Sequence, residues 1–137
     1  MEELYQDSGY FRISYLQDKS LLIVYGYKTL TDLDESRYFE ELRRYGSVVV
    51  KYRPKLILFD ASDAYYPVSA ELDKMIEREL TPIVTKAGVK KIAFVLPEDI
   101  VSQIAVEHLI TNLDIDHEQV QRLFFDSKEK AEQWLLE

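Results

Sequence analysis

The sequence predicts an α/β fold: one single-layer mixed β-sheet of about five strands, begun by an N-terminal antiparallel hairpin and continued by βα repeats, with about four helices in the order ββαβαβαβα. Two observations carry this prediction. Three short apolar runs, Leu56-Ile57-Leu58-Phe59, Ile92-Ala93-Phe94-Val95-Leu96 and Leu123-Phe124-Phe125, each pass through Asp60, Pro97 or Asp126 into a helical pattern. Strands that alternate with helices of ten or more residues can have both faces covered, so their runs can stay apolar without interruption. Earlier in the chain, Phe11, Ile13 and Tyr15 alternate with Arg12 and Ser14, then turn through Gln17-Asp18-Lys19-Ser20 into Leu21-Leu22-Ile23-Val24-Tyr25. That pattern predicts the hairpin.

After the hairpin, Thr31 or Asp32 is expected to cap a helix whose first turn holds Asp34 and Glu35 near the positive end of its dipole. Tyr38, Leu42, Tyr45, Val49 and Tyr52 recur at alternating steps of four and three, one apolar stripe. Arg53-Pro54 ends it, because the residue before proline is pushed out of the helical region. Beyond the strand at 56–60 comes the loop Ala61-Ser62-Asp63-Ala64-Tyr65-Tyr66-Pro67. A helical pattern follows over Leu72, Met75, Ile76, Leu80, Ile83, Val84 and Ala87, with Ser69 as N-cap and Gly88 as its stop. Pro82 lies inside that pattern and predicts a kink or break. A third helix is expected from Pro97-Glu98-Asp99, burying Ile100, Ile104, Leu109 and Leu113. The last begins at Asp126, spaced for a capping box with Glu129, and buries Ala131, Trp134 and Leu135.

A chain of 137 residues, 47% hydrophobic and 31% charged, suits one domain that buries roughly two-thirds of its unfolded surface. Asp and Glu number 25 against 17 Lys and Arg, a formal net charge of -8 with no basic stripe, which argues against nucleic acid or an anionic membrane as partner. The chain has no Cys, so disulfides, thiolate catalysis and Cys-ligated zinc are excluded. Met1-Glu2-Glu3-Leu4-Tyr5 lacks a basic and then apolar leader, and no run approaches the roughly 20 apolar residues of a spanning helix. A cytoplasmic location is expected.

The element order, the strand-loop-helix from Lys55 to Leu80, and the ending Arg122-Leu123-Phe124-Phe125-Asp126-Ser127 through Ala131 and Trp134-Leu135 together resemble the small STAS domains related to the sporulation anti-sigma-factor antagonist. The resemblance covers nearly the whole chain and implies a single STAS-like domain over residues 1–137. It implies a cytoplasmic binding module: many STAS domains engage an anti-sigma-factor kinase or a larger signalling assembly. Signalling members are switched by phosphorylation of a Ser or Thr where a helix begins after a strand. The wider fold group also resembles SEC14-type lipid-carrying domains, which implies a small apolar ligand as the alternative.

The regulatory family carries an Asp-Ser-Ser-Gly type sequence at the head of its second helix. Here the candidates are Asp60-Ala61-Ser62-Asp63 and Val68-Ser69-Ala70-Glu71, and neither matches. Ser69 has the better phosphorylation geometry, since free N–H groups at a helix start hold a phosphate, but Glu71 and Asp73 repel its charge of nearly two. Ser62, between Asp60 and Asp63, is worse placed. A cap at Ser69 and a loop hydroxyl at Ser62 are the simpler readings.

Asp60, at a strand's carboxyl end, resembles the phosphoacceptor of two-component receivers, yet its companions are missing: Gly26-Tyr27-Lys28 follows the hairpin where an acidic pair is required. His108 reads as a packed histidine on an apolar helix, and His117, in Asp114-Ile115-Asp116-His117-Glu118, as part of a solvated acidic turn. Asp63, Glu98 and Asp126 are candidates to gather at one sheet edge, although caps and turns are the simpler roles. No G-x-G-x-x-G, G-x-x-x-x-G-K-[ST] or G-x-S-x-G pattern is present, which counts against the familiar nucleotide cradles and hydrolase elbows.

Ten Tyr and six Phe remain to be explained. Most fit core stripes, but Tyr65-Tyr66-Pro67 stands in a loop, where aromatic area with a polar tip suits a partner surface or ligand lid. Tyr5 and Tyr10 are placed to cover an edge or to contact another copy in a homodimer.

The sequence therefore predicts no catalytic residues, no metal and no cofactor. It predicts a protein-interaction module using Asp60, Ser62, Asp63, Tyr65, Tyr66 and Ser69. The alternative is a carrier of a small apolar ligand in a cleft walled by Tyr65, Tyr66 and Met75. A carrier requires a cavity of hundreds of cubic ångströms; a module can have a filled core and an exposed apolar patch.

Overall fold

The computed structural model describes residues 3–64, 69–98, 100 and 120–137. Its centre is one mixed sheet of six strands, paired in the order in which the chain makes them. Strands β1 (Glu3–Asp7), β2 (Phe11–Leu16) and β3 (Leu21–Gly26) form an antiparallel meander. Strands β4 (Leu56–Asp60), β5 (Lys91–Val95) and β6 (Gln121–Phe125) then add in parallel. The fold is thus the expected α/β sheet, with one strand more than expected. β1 pairs only with β2, and Tyr5 on it is 60% exposed. A strand with one partner at the edge of the sheet needs no apolar run, so its sequence carries little signal.

Helix α1 (Glu35–Tyr52) buries the expected stripe, Tyr38, Leu42, Tyr45 and Val49, and leaves Tyr52 half-buried. Its start departs from expectation. Lys28–Asp32 is a 3-10 turn, and Asp34 is the N-cap, its Oδ1 accepting from Arg37 N–H at 2.8 Å. The helix ends as expected, with Arg53 left-handed (φ 49°) just before Pro54.

Helices α2 (Ala70–Met75) and α3 (Thr81–Ala87) are joined without a break through a π-helical stretch, Ile76–Leu80, in which Thr81 N–H donates to Ile76 O. This is the physical answer to Pro82. A proline leaves the carbonyl four residues back without its helical donor, and a wider turn just before it absorbs the mismatch. Gly88 stops α3 at φ 84°. The final helix, α4 (Lys128–Leu135), is capped by Ser127, whose Oγ accepts from Lys130 N–H at 3.2 Å. Asp126, expected as the cap, instead accepts from Lys130 Nζ at 3.1 Å.

The two sheet faces are covered by different helices. On one, α1 and the α2–α3 unit pack on Phe11, Ile13, Leu22, Val24, Ile57 and Ile92. On the other, Ala131 and Leu135 of α4 close over Leu21, Leu58, Ala93 and Val95, with Trp134 half-buried beside them. Ile104, His108, Leu109, Leu113 and His117, expected on or near the third helix, lie outside the described residues, as do Tyr65, Tyr66 and Pro67. No helix among the described residues is long and apolar enough to cross a membrane.

Candidate functional site

Strand alternation builds the floor of the site. Phe59, Phe94 and Phe124 occupy matching positions on β4, β5 and β6 and so point to the same face. Their rings form a continuous row: Phe59 to Phe94 at 6.0 Å, then Phe94 stacked on Phe124 at 5.2 Å. Phe11 extends the row from β2, meeting Phe59 edge-on at 5.6 Å. Such offset and edge-on contacts hold aromatic rings in fixed positions.

The roof meets this floor only in places, Tyr45 touching Phe59 edge-on at 5.5 Å and Tyr38 facing Phe11 at 6.2 Å. Between them is an apolar cavity of about 310 Å³, lined from above by Tyr38, Leu42 and Tyr45 of α1 and by Leu72, Leu80 and Val84 of the α2–α3 unit. The π stretch contributes directly, since Ile76 and Leu80 both line the cavity. Gly26 belongs to the wall too, and a β-carbon there would stand 3.2 Å from Leu30 Cδ2 and 3.5 Å from Phe11 Cε1. Ala61, Ala64 and Leu96 close the end beyond the carboxyl ends of β4 and β5, where α/β sheets hold their ligands.

Arg122 and Tyr45 bring polar groups into the largely apolar lining. Arg122 alternates with Leu123 on this strand, which puts it on the cavity side with Phe124 and opposite Ile92. Burial lowers the pKa of its guanidinium from the ordinary arginine value. The phenol of Tyr45, whose ring meets Phe59 edge-on at 5.5 Å, lies within electrostatic range of Arg122, and burial pushes its pKa up. Here loss of solvent opposes the charged form of either group.

The loop after β4 stands at the apolar end of the cavity. Asp60 is buried, and its Oδ1 accepts from Ser62 N–H at 3.0 Å and from Ser62 Oγ at 2.6 Å. That is an Asx turn, in which the carboxylate satisfies the loop. Asp63 accepts the hydroxyl proton of Tyr25, which pushes the tyrosine pKa up to about 12. Ser69 caps α2, accepting from Leu72 N–H at 3.0 Å, while its own hydroxyl donates to Glu35 at the start of α1.

The expected site residues are thus partly brought together. Asp60, Ser62 and Asp63 share one loop next to the cavity, and Ser69 is tied to Glu35. Met75 is buried but is absent from the cavity wall. Asp63, Glu98 and Asp126 do not gather: among the described residues no three acidic or histidine side chains converge as a metal set would. Sequence reasoning does not single out Arg122. The available signal was an Arg two residues before Phe124, and so on the same strand face, in a sheet whose neighbouring strands are apolar. No protein-family model, curated protein or solved structure matches the chain.

Proposed function

We propose that the protein is a non-catalytic binding module of STAS type that holds a small apolar or lipid-like ligand between its sheet and helices α1 to α3. The observation that carries this reading is the cavity of about 310 Å³ over an aromatic floor. It is roughly twice the volume of an engineered apolar cavity that takes up benzene, and within the size range of small-molecule sites. The STAS assignment draws support from the sheet, an antiparallel start followed by parallel strands added in chain order. A cytoplasmic location fits a chain with no Cys.

A regulatory role through a protein partner is the second reading, and it has a specific point of contact. Ala61 and Ala64 belong both to the cavity wall and to the loop of Asp60, Ser62 and Asp63. A partner that reads this loop would sense whether the cavity is filled, which makes a sensor and an interaction module compatible.

Native mass spectrometry of the freshly purified protein tests the ligand reading. The expected spectrum shows a co-purifying small apolar molecule that Val84→Phe, which fills the cavity from α3, no longer retains. A bare mass for the wild type, with no uptake of added aliphatic compounds, overturns it.

A further inference from the structure

We propose that the ligand carries a neutral carbonyl oxygen that accepts a hydrogen bond from the Tyr45 hydroxyl, with its aliphatic chain lying along Phe94 and Phe124. This rests on the ligand-binding reading above and specifies the chemistry of that site. Tyr45 lines the cavity and is 5% exposed, its ring fixed edge-on against Phe59. Its hydroxyl makes no hydrogen bond among the described residues, and burial is the leading cause of its raised pKa, with no hydrogen bond contributing. Among those residues the polar side-chain atom that is both sealed in and unpaired is Arg44 Nε. The Tyr45 hydroxyl, unpaired but not sealed in, therefore opens on free volume, and on a residue this buried that volume is the cavity.

An unpaired phenol facing an apolar space calls for an acceptor, because a buried donor left unmet bears its full desolvation penalty. A hydrocarbon leaves it unmet. An alcohol brings a donor of its own, so one bond still leaves one O–H without a partner, whereas a carbonyl has only acceptor capacity and pairs the phenol completely. A carboxylate brings a charge, and the burial that holds the phenol neutral opposes that charge too. Size agrees with chemistry. On the scale on which about 150 Å³ admits benzene, 310 Å³ admits about twelve heavy atoms. From Phe59, beneath Tyr45, the aromatic row runs 6.0 Å to Phe94 and a further 5.2 Å to Phe124, a track for the chain that leads away from the carbonyl.

Uptake of 2-decanone, decanol, decanoate and decane by the delipidated full chain, read by gas chromatography at equilibrium, tests the proposal in wild type and Tyr45→Phe. In the wild type 2-decanone is expected to bind more tightly than decanol or decanoate. Decane differs from the ketone in what leaving water costs, so these two are compared between proteins: Tyr45→Phe is expected to weaken 2-decanone roughly fivefold or more and to leave decane unchanged. The carbonyl stretch of bound 2-decanone is expected at lower frequency in wild type than in Tyr45→Phe, a readout independent of affinity. The ligand-free melting midpoint of Tyr45→Phe is expected to equal or exceed that of the wild type, since the variant removes an unpaired polar group. A lowered midpoint shows the hydroxyl bonded within the protein and overturns the proposal. Tighter binding of decanol or decanoate overturns the carbonyl. An equal stretch in both proteins, or 2-decanone unaffected by Tyr45→Phe, overturns Tyr45 as the contact and leaves the cavity reading standing. Failure of all four compounds to bind overturns both readings.

Discussion

Two tyrosine–carboxylate bonds at the end of β3, one of which fastens the loop after β4, affect pH stability with opposite signs. Tyr25 donates to Asp63, so its phenol is held neutral and its pKa rises from 10.0 to about 12. A raised pKa in the folded state means stability that is complete below pH 10 and is lost as the pH climbs through about 12. Asp63→Asn is expected to return Tyr25 toward its ordinary value, followed by phenolate absorbance with Tyr25→Phe as the difference control. If Tyr25 still ionises late, Asp63 is not the cause. Asp7 runs the other way: Tyr27 donates to it at 2.7 Å and Gly9 N–H at 2.9 Å, lowering its pKa below 3.8. Its contribution is present above that value and fades as the pH falls further. Tyr27→Phe should raise the Asp7 pKa, read from its side-chain carbon shift in an acid titration. Little of this was legible in the sequence. The Asx turn at Asp60 could be foreseen because its partner, Ser62, is two residues away. Tyr25 and Asp63 are 38 residues apart, and only the folded sheet brings them together.

At the scale of elements, Ser69 does double duty at the head of α2, and its surroundings bear on the phosphorylation candidate. Its oxygen accepts from Leu72 N–H while its proton goes to the Glu35 carboxylate. Asp is as good an N-cap as Ser in isolation, so Ser69→Asp alone would be close to neutral there. Beside Glu35 it places two carboxylates together, and it is expected to cost about 1 kcal/mol or more. Glu35→Gln should recover most of that loss, a coupling that a double-mutant cycle of urea midpoints measures. Additive effects would show that the Ser69–Glu35 contact is not what limits charge at this position. The helix ends themselves show what a sequence reveals. Ser69 and Gly88 were legible because capping and left-handed stops are local properties of a residue type. Asp34 was less so, because Thr31, Asp32 and Asp34 all suit a cap and a 3-10 turn decides among them. The π stretch was legible only as strain at Pro82; that the chain widens its turn rather than breaking depends on Leu72, Leu80 and Val84 keeping their places under the sheet.

The whole molecule is organised around a core that its own side chains leave partly open. The sequence could specify the sheet because strand runs and helix stripes are periodic, whereas the gap between layers depends on side-chain volumes summed across Phe59, Phe94, Tyr45 and Val84, which no periodicity records. A site of this kind ties stability to occupancy. A ligand that binds only the folded chain, present at a hundred times its Kd, adds about 2.7 kcal/mol, which for a domain of this size raises Tm by on the order of ten degrees. Val84→Phe places added volume in the space the ligand would take, and the cavity gives it room that a filled core would not. Calorimetric scans of delipidated protein with and without an added aliphatic compound such as decanol are therefore expected to show a large ligand-dependent rise in the wild type. In Val84→Phe the rise should be lost, with the ligand-free midpoint equal to or above that of the wild type. A lowered ligand-free midpoint in Val84→Phe, with the response to the added compound intact, would place the binding site elsewhere on the molecule.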